Sequence, residues 1–561
     1  MVRMSREGIE KTAEGNAKRM RWTWQILITA FVVFSLISTF YELNHAGDLQ
    51  PDRHFELVHN FYTDYNFYLS RIREGLEGRW TVVEKYTSEP HNGSVIQEMY
   101  VLMGDMGRWI GVPQGRSGDV YHAARVILGF TILALIAAFS QSIFTAGRRK
   151  SIAIIGFLLA VTASSWPILT SVDGSPRFGG YMPWWSVMDS LQRITFIPHL
   201  LAGQSLIIFL VMALTDFSVI RKSGNVLFLG VLACVLGVIF PPGLIFLFAV
   251  LGVYGLLRFA KMRAWLTPYA AIAVMSSIAL IYLALITSVY PWKRLTELDV
   301  LHPLPFQYGE YGKALGPMLP LGVIGVIVAL VSGETAMYPA VAWVLAWLIL
   351  LGVFQFVPQQ SPLRFSEMIP HVPLGILTAY AVSVMYEKTR SAVRFLAVLL
   401  PTALIILGIG QMYSSFLWQK DFVDHKIRAT TPLVPTGSYV MYPLKDFYTA
   451  MLYLEDQTKR TDVILSETTA GNYMPVYSGN TVYVGHDNTV NAEVKKVLVS
   501  KFYSGAMSAE EAKAWLSTIP THVIFFGPQE REEAGGKVLT ECYPFLTEAY
   551  TNPTVTVYTS R

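Results

Sequence analysis

The chain is 561 residues long, 52% hydrophobic and only 15% charged, with a mean hydropathy of +0.40. So few charges around long apolar runs exclude a soluble globular protein, and a net charge of +4 calls for no nucleic-acid partner. Apolar runs of about 20 residues match a hydrocarbon core of about 30 Å, so the chain reads as a polytopic α-helical membrane protein.

In chain order, residues 1–21 form a basic segment with Arg3, Arg6, Lys11, Lys18, Arg19 and Arg21, ahead of the apolar run Trp22–Phe40. It reads as an uncleaved signal anchor with the N-terminus in the cytoplasm. Hydropathy places about eleven spans, at 22–41, 120–145, 151–170, 197–217, 224–240, 243–260, 264–289, 316–333, 337–357, 368–386 and 392–412. The cytoplasmic connections at 147–150, 221–222, 258–263 and 387–394 each carry Arg or Lys, as the positive-inside bias requires; the one around Glu334 does not. Residues 225–260 are read as two short helices turning at Pro241-Pro242-Gly243, because a single span there would put Lys261 and Arg263 outside. The membrane domain is therefore 22–412, with a large first outer loop at 42–120. Residues 413–561 form an extracytoplasmic tail, where helical periods (Leu444–Tyr453, Val490–Phe502, Ala509–Leu516) mix with β-rich runs (Asp462–Leu465, Val482–Val484, His522–Phe526, Thr554–Tyr558), predicting a small α/β domain. Cys234 lies in a span and Cys542 in the tail, so no internal disulfide is expected.

All eleven histidines fall outside the spans or at their outer ends, so the chemistry is expected on the extracytoplasmic side. The first outer loop concentrates it. From Thr63 the sequence reads as an amphipathic helix lying on the outer membrane face, with Tyr65, Leu69, Ile72 and Leu76 as its apolar stripe. Asp64, Tyr68, Arg71 and Gly75 form a second stripe about 100° away. Thr63 would cap this helix, leaving Asp64 in the first turn, where the dipole favours a carboxylate. An acid beside Tyr and Arg suits activation of a hydroxyl, and a helix-start Asp with no further role reads equally well.

Glu89 and His91, in the polar turn 86–93, are of types that contact a sugar or phosphate, or that merely face water. His45, Asp48, Asp52 and His54 are all metal-ligand types, but their spacing matches no ligand framework, so no metal is predicted. Arg193 and His199 precede one span on its outer side; Arg364, Glu367 and His371 precede another. An outer Arg runs against the orientation bias. A guanidinium fork there suits a lipid-linked phosphate or an ion pair, for Arg364 with Glu367. In the tail, Thr469–Asn472 and Tyr483–His486 join Gly to polar residues at strand ends, and no phosphate-loop, dinucleotide or G-x-S-x-G pattern occurs.

The order of parts resembles the GT-C superfamily of polyprenyl-phosphate-dependent membrane glycosyltransferases, in its protein O-mannosyltransferase-like and aminoarabinose-transferase-like branches. The residues that carry the likeness are Asp64-Tyr65-Asn66-Phe67-Tyr68 running into Ile72–Gly75 and Gly78-Arg79-Trp80, then Thr87–His91, Thr195–His199, Arg364-Phe365, Gly471–Gly479 and Val482–His486. The resemblance implies a sugar moved from a polyprenyl phosphate to an acceptor hydroxyl of a lipid, glycan or protein outside the membrane, with inversion at the anomeric carbon. It implies Asp64 as the catalytic acid–base residue and Tyr65, Tyr68, Arg71, Glu89, His91, His199 and Arg364 as substrate contacts. The family often pairs two acids at this point, whereas Asp64 is followed by Tyr65; Asp48 and Asp52 therefore stay open as alternative catalytic acids. The missing pair also removes the ground for expecting a divalent cation, so no cofactor is expected and the lipid-linked sugar enters as substrate. A transporter or lipid flippase, or a non-catalytic envelope-assembly protein, are the readings from other classes.

Overall fold

The computed structural model describes residues 6–144, 150–259, 262–303, 305–434 and 441–560. Arg3, most of the 147–150 connection and Lys261 lie outside the described residues. Each expected span contains a helix, but helix and span differ in length. Among the described residues, four helices are long and apolar enough to cross a membrane: Gln114–Ile143, Arg263–Ile286, Thr335–Phe354 and Val393–Arg428. Two bent pairs raise the number to six, Arg19–Ser35 with Ile37–Asn44 at 45° and Tyr308–Ala314 with Met318–Ser332 at 85°. The apolar helices Ser151–Thr162, Pro198–Leu214, Ser223–Ile239 and Pro241–Leu257 are shorter.

The turn at the double proline forms as expected. Phe240 leaves helical space at φ −146°, ψ 77°, and the next helix opens on Pro241, where a missing N–H costs nothing. The expected span at 151–170 is too long. Its helix ends at Thr162, and β1 (Ile168–Val172) pairs antiparallel with β2 (Ser175–Gly179) in a hairpin. Phe178 N–H donates to Ser414 Oγ and Trp418 Nε1–H to the Phe178 carbonyl, so the hairpin is tied to the last helix. That helix, Ser391–Arg428, continues well past residue 412 because its polar end packs on protein. Lys426 pairs with Glu42 at 2.7 Å, and Arg177 of β2 pairs with Asp421 at 2.5 Å.

Above the helices, the tail forms a five-stranded sheet of order β4-β3-β5-β7-β6. β3 (Val463–Leu465) runs parallel to β4 (Thr481–Val482) and β5 (Thr521–Phe526), whereas β7 (Thr556–Ser560) is antiparallel to β5 and to β6 (Leu546–Thr551). Helices Lys445–Gln457, Ala492–Tyr503 and Ala509–Thr518 match the expected helical periods. Strand β6, with its mostly exposed pattern, had no apolar signal to reveal it.

The outer-loop helix Tyr62–Leu76 lies between these layers. It is not an amphipathic helix on a membrane surface: twelve of its fifteen residues are buried, on every face. Its Tyr65, Leu69, Ile72 and Leu76 stripe packs against Tyr100, Met103, Tyr121 and Val476. On the Glu98–Trp109 side, backbone meets backbone. A Cβ on Gly75 would stand 2.0 Å from the Val101 carbonyl oxygen, and one on Gly104 2.0 Å from that of Ile72, so only glycine fits at either point.

Candidate functional site

Phe61, in extended conformation, flanks the start of the Tyr62–Leu76 helix and no side chain caps it. The expected Thr63 cap is therefore corrected: Thr63 is already helical, and its carbonyl accepts from Asn472 Nδ2 at 3.3 Å. Asp64 does lie in the first turn, with its side chain 49% exposed. The tail supplies the neighbour that sequence reasoning missed. His486 stacks on Phe67, centroids 4.6 Å apart and planes at 15°, and its Nδ1 accepts the Asn488 N–H at 3.1 Å. The ring proton therefore rests on Nε2, which stands 3.6 Å from Asp64 Oδ1.

Four of the expected site residues lie within electrostatic range of one another here. The charge of Asp64 acts on Tyr68, His199 and Arg364, and that of Arg364 acts on Tyr68 and His199. The Tyr68 ring stacks on Tyr100 at 4.7 Å, and Tyr100 Oη bonds His199 Nδ1 at 2.7 Å. Burial, with Asp64 adding to it, holds the Tyr68 phenol well above its ordinary pKa, so it stays protonated. Arg364 is 47% exposed and lies 3.7 Å from buried Glu367, whose carboxyl burial pushes up to about 7 against the opposing pull of Arg364. Asp299, from the helix Arg294–Leu301, adds a further negative charge acting on both. The result is a half-open patch of one acid, one forked cation, a phenol and two imidazoles, framed by aromatic rings.

The other expected contacts lie elsewhere or are used by the fold. Tyr65 is buried, with its hydroxyl on His122 Nε2 at 3.1 Å. Arg71 does not face a ligand. It is fully buried, its guanidinium on Glu84 at 2.7 Å, Glu74 at 3.3 Å and the Val83 carbonyl at 2.9 Å, with Phe67 beneath it at 4.5 Å. Glu89 pairs with Lys495 of the tail at 2.7 Å, and the His91 ring bonds the Glu84 N–H and the Glu89 carbonyl. Arg193 caps the helix ending at Thr162, donating to the Val161 and Ala163 carbonyls at 2.8 and 2.6 Å. Asp48 and Asp52 are exposed, and the Asp52 carboxylate lies 3.9 Å from Arg53. The His45 ring sits on Tyr41 and that of His54 on Tyr448, at 4.2 and 3.8 Å. Among the described residues no group of three or more His, Cys, Asp or Glu is placed to hold a metal ion.

The tail motif around Gly471 is a latch onto this helix. Asn66 Nδ2 donates to Asn472 Oδ1 at 2.9 Å, and the Tyr86 hydroxyl donates to the Asn472 carbonyl at 3.1 Å. Arg73 donates to the Val476 carbonyl at 2.7 Å and pairs with Glu455. The tail thus holds the helix that carries Asp64 and places His486 beside it.

No family model matches the sequence, and no curated protein does. Solved structures match along nearly its whole length. The Archaeoglobus fulgidus oligosaccharyltransferase, tethered to an acceptor peptide containing the NVT sequon, superposes with TM-score 0.52 at 11% identity, over 96% of this chain and 74% of its own. ArnT from Cupriavidus metallidurans in the apo state superposes with TM-score 0.50 at 11% identity, over 96% of this chain and 98% of its own. The chain has the GT-C fold.

Proposed function

We propose that this GT-C protein is a membrane glycosyltransferase that moves a sugar from a polyprenyl-phosphate donor to an acceptor hydroxyl on the extracytoplasmic face. The observation that carries the reading is that Asp64 and Arg364, 300 positions apart in the chain, lie within electrostatic range of each other and of Tyr68 and His199. The orientation follows from the basic connections, with the N-terminus cytoplasmic, about eleven spans and the sheet domain outside.

Asp64 takes the proton of the acceptor hydroxyl as its oxygen attacks the anomeric carbon from the face opposite the phosphate. The bond from that carbon to the phosphate oxygen breaks, the electron pair leaves with the phosphate, and the configuration inverts. Half-exposed Arg364 stands where it can neutralise the leaving phosphate; buried Glu367 keeps the guanidinium in place without competing for its exposed edge. Tyr68, held protonated, donates to an oxygen of the sugar or phosphate, and the Nε2–H of His486 orients the Asp64 carboxylate.

The test uses full-length protein in nanodiscs with a panel of radiolabelled polyprenyl-phosphate sugars and cell-envelope acceptors. Transfer is expected with wild type and is lost with Asp64→Asn, while donor binding persists. Transfer that survives Asp64→Asn moves the acid to Asp48 or Asp52, and no donor consumption across the panel removes the transferase reading.

A further inference from the structure

One cavity does not centre on Asp64. It has a volume of about 750 Å³ and adjoins the site at two points. His59, Asn60 and Phe61 line it and lead directly into the Asp64 helix, so Asp64 lies about one turn, ~5 Å of helix rise, from its wall. Trp185, also in the wall, donates its indole N–H at 2.7 Å to Ser366, which belongs to the same turn as Arg364 and Glu367.

The lining says what fits. Aromatic faces come from Trp184, Trp185 and Trp418, and planar amides from Asn60, Gln192 and Gln419. Hydroxyls add to these, among them Ser38, whose buried Oγ has no hydrogen-bond partner. A lipid chain would leave such polar groups unpaired, at a cost of about 1–3 kcal/mol each. A phosphate finds no available cation. Lys426 is paired with Glu42 at 2.7 Å, and Arg125 donates to the Thr195 carbonyl and to His122. Burial also keeps the His59 ring neutral. What remains is a ligand with apolar ring faces and many neutral hydroxyls: aromatic planes take the C–H face of a pyranose, and amides bridge neighbouring hydroxyls.

We propose that this cavity is a saccharide-binding site that holds a neutral oligosaccharide as acceptor beside the Asp64 group. The acceptor role rests on the transferase reading; saccharide binding does not. The experiment titrates cellotetraose, chitotetraose, mannotetraose and maltotetraose into the full-length protein in nanodiscs, followed by calorimetry. Saturable binding of at least one is expected, weakened tenfold or more by Trp184→Ala and by Gln192→Ala. Trp184 is 60% exposed, so its loss leaves the fold intact, which an unchanged unfolding midpoint verifies. Absence of binding by all four sugars overturns the inference, as does wild-type affinity in both variants. So does an outcome in which these variants weaken binding of an extended neutral peptide or of undecaprenyl phosphate instead. Saccharide binding without glycosyl transfer removes the transferase reading and leaves this site standing; transfer without saccharide binding does the reverse.

Discussion

Two arginines placed in the site by sequence pattern are expected to fail in opposite ways. Arg71 has no exposure and holds two buried carboxylates, Glu84 at 2.7 Å and Glu74 at 3.3 Å. Arg71→Met keeps the apolar stem and removes only the guanidinium. Both carboxylates then stay buried without a cation, and Glu74 already has its pKa raised by burial while Arg71 is present. Breaking a buried pair from one side costs about 3–5 kcal/mol. The lost bond to the Val83 carbonyl and the contact with Phe67 overlap with that figure and are not added to it. At about 1 °C per kcal/mol for a chain of this length, the unfolding midpoint should fall by roughly 3–5 °C. Arg364→Met meets a different environment, a half-exposed side chain with one carboxylate at 3.7 Å. Its stability cost should stay below ~1 kcal/mol, while loss of the cation facing the leaving phosphate should lower turnover by about 10²–10³-fold. The assay pairs scanning fluorimetry with the nanodisc transfer assay on both variants. A native midpoint for Arg71→Met together with a raised KM would show that Arg71 binds substrate and that the buried network has been misread. A large midpoint loss for Arg364→Met with normal turnover would refute its role at the phosphate.

Gly104→Ala should destabilise by about 1–3 kcal/mol and lower turnover, because its Cβ would stand 2.0 Å from the Ile72 carbonyl and push the Asp64 helix aside; a lowered midpoint alongside reduced transfer checks it. His486→Ala should reduce kcat more than KM with little change in the unfolding midpoint, whereas a purely structural histidine would lower the midpoint and leave the ratio of kcat to KM effects even. Stability should fall as the pH rises from 5 to 8. Burial raises Glu530 to about 8 and Glu367 and Glu467 to about 7, so the folded chain holds protons that the unfolded chain releases near the ordinary carboxyl pKa. Stability fully present below that value is lost through pH 7–8, and a midpoint flat or rising across this window would contradict the burial of these groups.

Much of this architecture was legible in the residues. Spans follow from hydrophobic length, and the turn at Pro241-Pro242 follows from the missing N–H and the basic residues beyond it, with no tertiary information needed. The strands β3 and β5 were visible because each is a run of apolar, β-rich residues buried in the sheet, whereas β6 faces water and carries no such pattern. The helix 62–76 was legible as a helix from its 3.6-residue stripe. Its surroundings were not: a periodic stripe describes one face only, and the tail covers the others through Asn472, Val476 and His486.

The same division runs through the site. Residue type and an expected outer position pointed to Asp64, Tyr68, His199 and Arg364 as candidates, because charge and hydrogen-bonding capacity are properties of the side chain. Arg71 was selected on the same ground, and only packing distinguishes it, since a guanidinium has the same chemistry whether two buried glutamates or a substrate phosphate faces it. Glu367 is three residues from Arg364, so that pair was legible, whereas His486 and Asp299 join the group across long stretches of chain, and no local spacing encodes such a meeting. The sequence by itself determined the membrane class, the helices and the kinds of chemistry present. Tertiary structure alone decided which charges neutralise one another in the core and which are left facing the site, because that depends on distance and desolvation between segments hundreds of residues apart.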